Sequence, residues 1–121
     1  MKDDFFFVKG LSVTKIFSFC AAHHLPRYEG KCKNVHGHSW ILWVTVKLKP
    51  DCKGEKEGMI VDFSDLKRIV EKQVIEALDH TDLNKVIEYP TAENILYWIK
   101  DRLDFFLNIK SYRITRLRLY E

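Results

Sequence analysis

The feature of the sequence that most constrains the fold is the segment Cys32-Lys-Asn-Val-His36-Gly-His38, followed at once by an alternating stretch from Ser39 to Leu48. Its apolar residues occupy every second position, namely Trp40, Leu42, Val44, Val46 and Leu48. A period of two, rich in β-branched and aromatic side chains, is typical of a half-buried strand. His36 and His38 share the parity of Trp40, so both imidazoles are predicted to project from the core-facing side where the strand begins.

A second alternating stretch, Leu11 to Cys20, precedes the first and is also predicted to be a strand. His23 continues its core-facing side if the strand runs on. It would then point to the same side of the sheet as His36 and His38. Three neutral imidazoles are the ligand set of a catalytic zinc whose fourth position is open. Core or surface histidines without a metal are the alternative, and His24, of opposite parity, is predicted not to be a ligand.

Two later segments repeat their apolar residues at steps of three and four, which predicts two amphipathic helices. Asp62 is the expected N-cap of the first, which extends to about residue 78, and Thr91 is the expected N-cap of the second. A last alternating stretch, Tyr112 to Glu121, predicts a third strand. This order indicates an α+β domain with both helices on one face of an antiparallel sheet. The 121 residues are predicted to form a single domain, residues 1–121, in which residues 1–10 are a lead-in.

The composition argues against several classes of protein. Charged residues make up 31% of the chain and hydrophobic residues 46%, which is ordinary for a soluble globular protein. A net charge of +3 permits anionic ligands but lacks the clustered basic signal of a nucleic-acid-binding protein. No apolar run approaches the ~18 residues of a membrane span, and the apolar run Phe5–Val8 is too short for a secretory signal. The three cysteines are expected to be reduced thiols in a cytoplasmic protein.

Cys32 and the pair Asp79-His80 are the candidates for proton transfer. Cys32 lies between two lysines, and nearby positive charge favours a thiolate over the small buried hydrophobe that a free cysteine usually is. Asp79-His80 follows the first predicted helix, where a histidine is also at home against the helix dipole. If folding brings this pair near the metal, a carboxylate beside an imidazole forms an oriented acid/base pair.

The last predicted strand carries two further candidates. Glu121 falls on its apolar side, where a carboxylate is costly to bury without a partner, although a terminal residue can also extend into water. Arg113, Arg116 and Arg118, together with Lys110, are interpreted as a solvated strand face rather than a nucleic-acid patch. They are also candidates for binding an anionic ligand.

Five motifs occur in order along the chain and together resemble the 6-pyruvoyl-tetrahydropterin synthase superfamily. They are Phe19-Cys-Ala-Ala-His23, Cys32-x-x-x-His36-Gly-His38, Gly58-Met-Ile-Val-Asp62-Phe63, Leu78-Asp79-His80-x-x-Leu83-Asn84 and Pro90-Thr91-x-Glu93-Asn94. The resemblance extends from about residue 11 to residue 121. A cysteine separated from His-Gly-His by three residues is similar to the 6-carboxy-tetrahydropterin synthase branch, whereas the pyruvoyl-forming branch has its cysteine farther upstream.

The resemblance implies a T-fold (tunnelling fold), in which ββααββ subunits join their sheets into a barrel. Trimers form the barrel, and two trimers stack into a homohexamer whose active sites lie between subunits. The resemblance also implies a Zn²⁺ ion held by His23, His36 and His38. Because the family pattern has a further strand after its anchoring glutamate, a final strand is expected to be missing from a chain that ends at Glu121.

The resemblance also implies roles for the other candidates. Cys32 would be the general base, and Asp79 and His80 would complete a proton relay. Glu121 would anchor the pterin ring through its amino and ring N–H groups. Thr91 lies in a motif that the family places near the pterin pocket.

The activity implied by the resemblance is the conversion of 7,8-dihydroneopterin triphosphate to 6-carboxy-5,6,7,8-tetrahydropterin, acetaldehyde and triphosphate. This reaction leads to 7-deazaguanine bases such as queuosine. The alternatives are synthesis of 6-pyruvoyltetrahydropterin, side-chain cleavage of sepiapterin-like pterins, non-catalytic pterin or zinc binding, and nucleic-acid binding. Neither a membrane nor a nucleic acid is expected to be a direct partner.

Overall fold

The computed structural model describes residues 10–121, and of the predicted lead-in only Gly10 lies within that range. The strands are β1 (Val13–His23), β2 (His36–Leu48), β3 (Thr81–Asp82) and β4 (Tyr112–Tyr120). Helix α1 begins as Phe63–Val70, widens into a π-turn at Glu71–Ile75 and ends as Glu76–Leu78. Helix α2 is Ala92–Leu107. The predicted order of strand, strand, helix, helix and strand is confirmed, with β3 as an addition.

The antiparallel pairing of β1 with β2 sets the geometry of the site. The register runs from Val13 opposite Val46 to His23 opposite His36. Residues that lie opposite each other in such a pair project to the same side of the sheet. The alternation of buried and exposed residues along both strands agrees with the predicted parity.

The sheet has the order β3-β1-β2-β4, and β4 is antiparallel to β2. The sequence predicts a polar loop at residues 79–84. The structure forms β3 within it, because Thr81 and Asp82 pair in parallel with Ala21 and Ala22 of β1. The three long strands are antiparallel as predicted, and the two-residue β3 makes the sheet mixed.

Both helices pack on one face of the sheet and enclose the hydrophobic core. The helices contribute apolar residues at helical spacing: Leu66, Val70, Val74, Leu78, Ile95, Ile99, Leu103 and Leu107. The sheet contributes its inward-facing row: Phe17, Phe19, Ala21, Trp40, Leu42, Val44, Val46 and Tyr112. Since burying one such aliphatic side chain is worth roughly 2 kcal/mol, this two-layer contact supplies most of the favourable free energy of folding.

Side-chain caps determine where the helices begin. Asp62 accepts a hydrogen bond of 2.9 Å from the Ser64 N–H, and Thr91 Oγ1 accepts one of 3.1 Å from the Asn94 N–H. Both predicted N-caps are therefore confirmed. In the part of the chain that the structure describes, neither helix is long and apolar enough to cross a bilayer.

A β-bulge interrupts the pairing of β2 with β4. Thr45 lies opposite Arg116 and Val46 lies opposite Ile114, so Thr115 is an extra residue on β4. An extra residue reverses the parity of the strand beyond it. Arg113, on one side of the bulge, and Arg116, on the other, are consequently both exposed on the face that the helices leave open.

Candidate metal centre

Three histidines converge where β1 ends and β2 begins. His23 ends β1 and lies opposite His36, the first residue of β2. His38 lies one pleat further along β2, opposite Ala21. The ring centroids are separated by 4.5 Å for His23 and His36, 4.7 Å for His36 and His38, and 5.2 Å for His23 and His38. The structure thus brings together the three imidazoles that the parity argument placed on one side.

Backbone carbonyls orient two of these rings. His23 Nδ1 donates to the carbonyl oxygen of Pro90 at 2.8 Å, and His36 Nδ1 donates to that of Asn34 at 2.7 Å. A proton held on Nδ1 leaves Nε2 as the lone-pair nitrogen of the neutral ring. This is the arrangement in which a histidine binds a metal through Nε2 and is held in place through Nδ1.

Burial keeps His23 in the form that binds metals. Removal of the ring from water lowers the pKa of His23, and the neighbouring His36 and His38 lower it further. The indole of Trp40 packs edge-on against both His23 and His38, with centroid separations of 5.1 Å in each case. Trp40 itself is fully buried, and its Nε1 donates to the Ala21 carbonyl at 3.2 Å. The apolar surroundings of His23 therefore favour the neutral form of this ring, which is the form that binds metals.

The donor set fits a divalent metal ion. One nitrogen from each of the three histidines lies within 4.8 Å of the other two, and residues 10–121 contain no other such group of metal-binding side chains. Among these residues, the buried Nε2 atoms of His23 and His38 have no hydrogen-bond partner. Because a buried polar atom without a partner is costly, these two atoms are available to a ligand. Three neutral imidazoles and an open fourth position match a catalytic zinc site.

Two of the remaining candidates lie close to these histidines. A carboxylate oxygen of Glu121 is 3.9 Å from His38 Nε2, and the Glu121 side chain is 51% exposed. Thr91 caps α2 directly after Pro90, whose carbonyl holds His23. The end of β4 and the start of α2 thus both border the histidine cluster.

Asp79 and His80 form an oriented pair, but they lie on the open face of the sheet. Asp79 Oδ2 is 2.9 Å from His80 Nδ1, and Asp79 Oδ1 accepts from the Cys20 N–H at 2.8 Å. The hydrogen bond from Cys20, helped by His80, lowers the pKa of Asp79. The His80 ring is 82% exposed and lines a shallow cavity of about 610 Å³, whose lining also includes Cys20 and His38. Asp79 and His80 thus form the predicted pair, and the His80 ring is exposed to solvent.

Cys32 occupies a short turn of 3-10 helix, Lys31–Lys33, in the loop that leads to β2. Its side chain is half-buried, while both flanking lysines are exposed. Its carbonyl oxygen accepts from the Leu25 N–H at 2.6 Å, which fastens the turn to the end of β1. The role of its thiol as a base stays a prediction.

Comparison with models of protein families matches residues 12–121 to the family described as 6-pyruvoyl tetrahydropterin synthase. The chain belongs to this family. It is 42% identical over 97 residues to the 6-carboxy-5,6,7,8-tetrahydropterin synthase of a Synechocystis species, and this alignment covers 76% of this chain and 74% of that protein. It is 39% identical over 105 residues to the dihydroneopterin monophosphate aldolase of Pyrococcus furiosus, which covers 86% of this chain and 83% of that protein.

A solved structure supports the fold. The 6-pyruvoyl tetrahydropterin synthase of Caenorhabditis elegans matches with a TM-score of 0.68 and 24% identity, covering 92% of this chain and 94% of the other. The predicted T-fold and the predicted membership of an enzyme superfamily are therefore confirmed. Within one copy of this chain, the described sheet is open, and β4 and β3 lie at its edges.

Sequence reasoning missed the residues that hold the histidines in place. Asn84 accepts from the His24 N–H at 2.9 Å and donates to the His24 carbonyl at 3.0 Å, which fixes the chain next to His23. The Asn94 side chain donates to the Tyr89 carbonyl at 2.8 Å and so holds the turn that contains Pro90. Both asparagines lie inside family motifs, and that was the signal available. The contacts made by the backbone carbonyls of Pro90 and Asn34 could not be predicted from residue type, because every residue has a backbone carbonyl.

Proposed function

We propose that this member of the family is a zinc-dependent lyase that converts 7,8-dihydroneopterin triphosphate to 6-carboxy-5,6,7,8-tetrahydropterin, acetaldehyde and triphosphate, for 7-deazaguanine (queuosine) biosynthesis in the cytoplasm. The observation that carries the proposal is the cluster of His23, His36 and His38, in which two buried Nε2 atoms have no hydrogen-bond partner among the described residues. The name of the Synechocystis relative supports this choice of product.

In this proposal the three histidines hold the zinc ion through their Nε2 atoms. The bound ion supplies Lewis acidity, which acidifies protons next to the side-chain hydroxyls of the substrate. Glu121, beside His38, accepts hydrogen bonds from the amino and ring N–H groups of the pterin. Thr91 keeps the start of α2 in position at the border of the pterin pocket.

Cys32 and the Asp79-His80 pair divide the proton transfers. Cys32, on the turn fastened to the end of β1, removes a proton from the substrate side chain as its thiolate. His80 transfers a second proton, and Asp79 fixes the orientation and tautomer of its ring through the 2.9 Å contact. The exposure of His80 on the open face suits a role towards a substrate bound by another subunit.

The assembly in this proposal is a homohexamer made of two trimers. The outer edge of β4 has no strand beside it in the described sheet, and β3 covers only the end of β1. Such open edges pair readily with the edges of other copies, and closing the sheets into a barrel removes them. Sites between subunits then combine the histidines of one copy with the Asp79-His80 pair of another.

The reaction is tested by incubating the zinc-loaded protein with 7,8-dihydroneopterin triphosphate and identifying the products by mass spectrometry. We expect 6-carboxytetrahydropterin together with acetaldehyde. The variant Cys32→Ala is expected to retain zinc and to lose turnover, with Cys52→Ala as a matched control that retains both. Loss of zinc from Cys32→Ala would make the thiol a ligand and its proposed role wrong. Absence of any pterin product from the zinc-loaded wild type would refute the proposed activity.

A second candidate is retro-aldol cleavage of dihydroneopterin monophosphate. The 39% identity to the Pyrococcus furiosus aldolase favours it, since that alignment covers 86% of this chain. The same histidine cluster and acid/base pair suit this chemistry, because an aldolase also needs a polarised side chain and a proton acceptor. Offering the monophosphate and the triphosphate in parallel separates the two, since only the lyase would yield the 6-carboxy product.

A further inference from the structure

The face of the sheet that the helices leave open is rich in cations and hydroxyl groups. Its strand residues with polar side chains are Thr14, Ser18, Ser39, Thr45, Lys47, Arg113, Thr115, Arg116, Arg118 and Tyr120. None of these side chains is a carboxylate. A face with four basic residues and no acid on its three long strands carries a positive potential that favours an anionic ligand.

A cavity of about 360 Å³ lies within this face, and we call its lining the basic sheet face. It consists of Lys47, Arg116 and Arg118 with neighbouring small and aromatic residues: Gly10, Ser12, Thr14, Trp43, Thr45 and Thr115. Among residues 10–121, no carboxylate forms an ion pair with any of the three cations. Arg118 donates to the Tyr120 hydroxyl at 3.3 Å. Within residues 10–121, the three charges are therefore left without a paired carboxylate.

The bulge in β4 builds this arrangement. Without the extra residue Thr115, the parity that exposes Arg113 would direct Arg116 and Arg118 towards the core. With it, Arg116 lies opposite Thr45 and Arg118 opposite Trp43, beside Lys47 on β2. Bulges of this kind re-aim side chains and are common next to binding sites.

The basic sheet face is separate from the histidine cluster. His23 and His38 share the side of Phe19, Ala21 and Trp40, which face the core, whereas Thr45 and Lys47 have the opposite parity on β2. None of the three histidines lines the cavity. A ligand on the basic sheet face would therefore not reach the metal centre of the same chain.

We propose that the basic sheet face binds inorganic pyrophosphate or triphosphate. Two guanidinium groups offer paired N–H donors that match phosphate oxygens, Lys47 adds a third charge, and the threonine hydroxyls can complete the hydrogen bonding. The small cavity and its three cations suit a compact, multiply charged anion rather than a nucleic acid. Triphosphate is also a product of the proposed reaction, but this binding is independent of that reaction.

The test is isothermal titration of inorganic pyrophosphate and of triphosphate into the zinc-loaded full chain at constant ionic strength. We expect saturable binding to the wild type. The double variant Arg116→Gln/Arg118→Gln should bind at least about tenfold more weakly, since each lost charge-assisted contact is worth roughly that factor. The control Lys67→Gln/Lys72→Gln removes two exposed charges from α1 on the other side of the molecule and should bind as the wild type does.

Several outcomes would overturn the proposal. Binding that survives unchanged in Arg116→Gln/Arg118→Gln would place the anion elsewhere, for example on the metal. Equal weakening of anion binding in both double variants would mean that the binding is general charge attraction. Tighter binding of a short oligonucleotide than of triphosphate would make a nucleic acid the ligand. If the arginine variant does not fold, Lys47→Gln compared with Lys67→Gln decides, with about tenfold weakening expected in the first alone.

Discussion

Asn94 is exposed, yet it supports the most buried member of the histidine cluster. Its side-chain amide donates to the Tyr89 carbonyl at 2.8 Å, and its N–H donates to Thr91 Oγ1 at 3.1 Å. Pro90 lies between these two anchored residues and presents its carbonyl to His23 Nδ1. Groups that orient a metal-binding imidazole in this way commonly change metal affinity when they are removed.

We expect Asn94→Ala to bind zinc about tenfold more weakly than the wild type, because the turn that presents the Pro90 carbonyl loses one of its two anchors. Competition with a chromogenic chelator measures the affinity. Asn108→Ala, at the other end of α2, is the matched control and should bind zinc normally. If the two variants bind zinc equally well, Asn94 has no part in positioning His23.

Two residues that are not glycine adopt left-handed backbone conformations, Asp51 with φ of 60° and His80 with φ of 57°. Such a conformation is unfavourable for a side chain with a Cβ atom. We expect Asp51→Gly and His80→Gly each to retain the free energy of unfolding or to raise it by under about 1 kcal/mol, since relief of strain is partly offset by chain entropy. Thermal melts measure this change.

The two glycine variants should differ in activity. His80→Gly removes the proton-transfer ring and is expected to lose turnover with zinc retained, whereas Asp51→Gly, in the turn after β2, should remain active. A stability that is kept while activity is lost would indicate that the His80 side chain serves function rather than folding. An active His80→Gly would remove this residue from the proposed relay.

At the scale of single residues, side-chain parity placed His23, His36 and His38 on one side of the sheet, on condition that the first strand runs on to His23 and pairs with the second. Parity depends only on the period of the strand, which the pattern of apolar residues reveals. The partners of the imidazoles were not predictable in the same way. The carbonyls of Pro90 and Asn34 are backbone atoms, and their position depends on how distant loops fold.

Strand β4 shows how a regular element can differ from its own sequence pattern. The alternation of Leu117 and Leu119 with Arg116 and Arg118 was read correctly, but the extra residue Thr115 was not anticipated. A bulge changes the pairing of the strand while leaving the residue types unchanged, so the sequence carries little trace of it. The π-turn at Glu71–Ile75 within α1 was likewise not predicted, because the apolar period continues through it.

Tyr112, the first residue of β4, is fully buried, and among the described residues its hydroxyl has no hydrogen-bond partner. Burial also raises the pKa of Tyr112. We expect Tyr112→Phe to raise the free energy of unfolding by about 1 kcal/mol, because it removes a polar group that lost its water without gaining a partner. Chemical denaturation measures the change.

The control for this prediction is Tyr120→Phe at the other end of β4. The Tyr120 hydroxyl is bound only by Arg118, and the side chain is exposed, so the change should stay within about 0.5 kcal/mol. A Tyr112→Phe chain that is less stable than the wild type would mean that the hydroxyl makes a favourable contact, for example with a bound water.

At the scale of the whole molecule, the described sheet has incompletely paired edges on both sides. At one edge of this described sheet, β4 is paired with β2 alone. At the other edge, β1 is paired with β3 only at Ala21 and Ala22. The order of the elements was predicted from the sequence pattern. Closure of the sheets into a barrel is implied by the resemblance to the family alone, because residues that complete an edge in another copy leave no pattern in the sequence of one chain.

If the edges pair between copies, we expect the Tm to rise by several degrees between about 1 µM and about 100 µM protein, since association stabilises the folded state by mass action. Differential scanning fluorimetry measures this dependence. Thr115→Pro, at the unpaired edge and at the residue that has no partner on β2, should abolish the dependence while the chain still folds. A Tm that is the same at both concentrations in the wild type would contradict edge-to-edge assembly.

The indole of Trp40 belongs to the hydrophobic core and also packs against the rings of His23 and His38. It therefore connects the packed interior to the histidine cluster. We expect a substitution that expands or shrinks the interior beneath this ring to shift the imidazoles above it. Aliphatic residues that never touch the three histidines would then influence which ion the proposed site accepts.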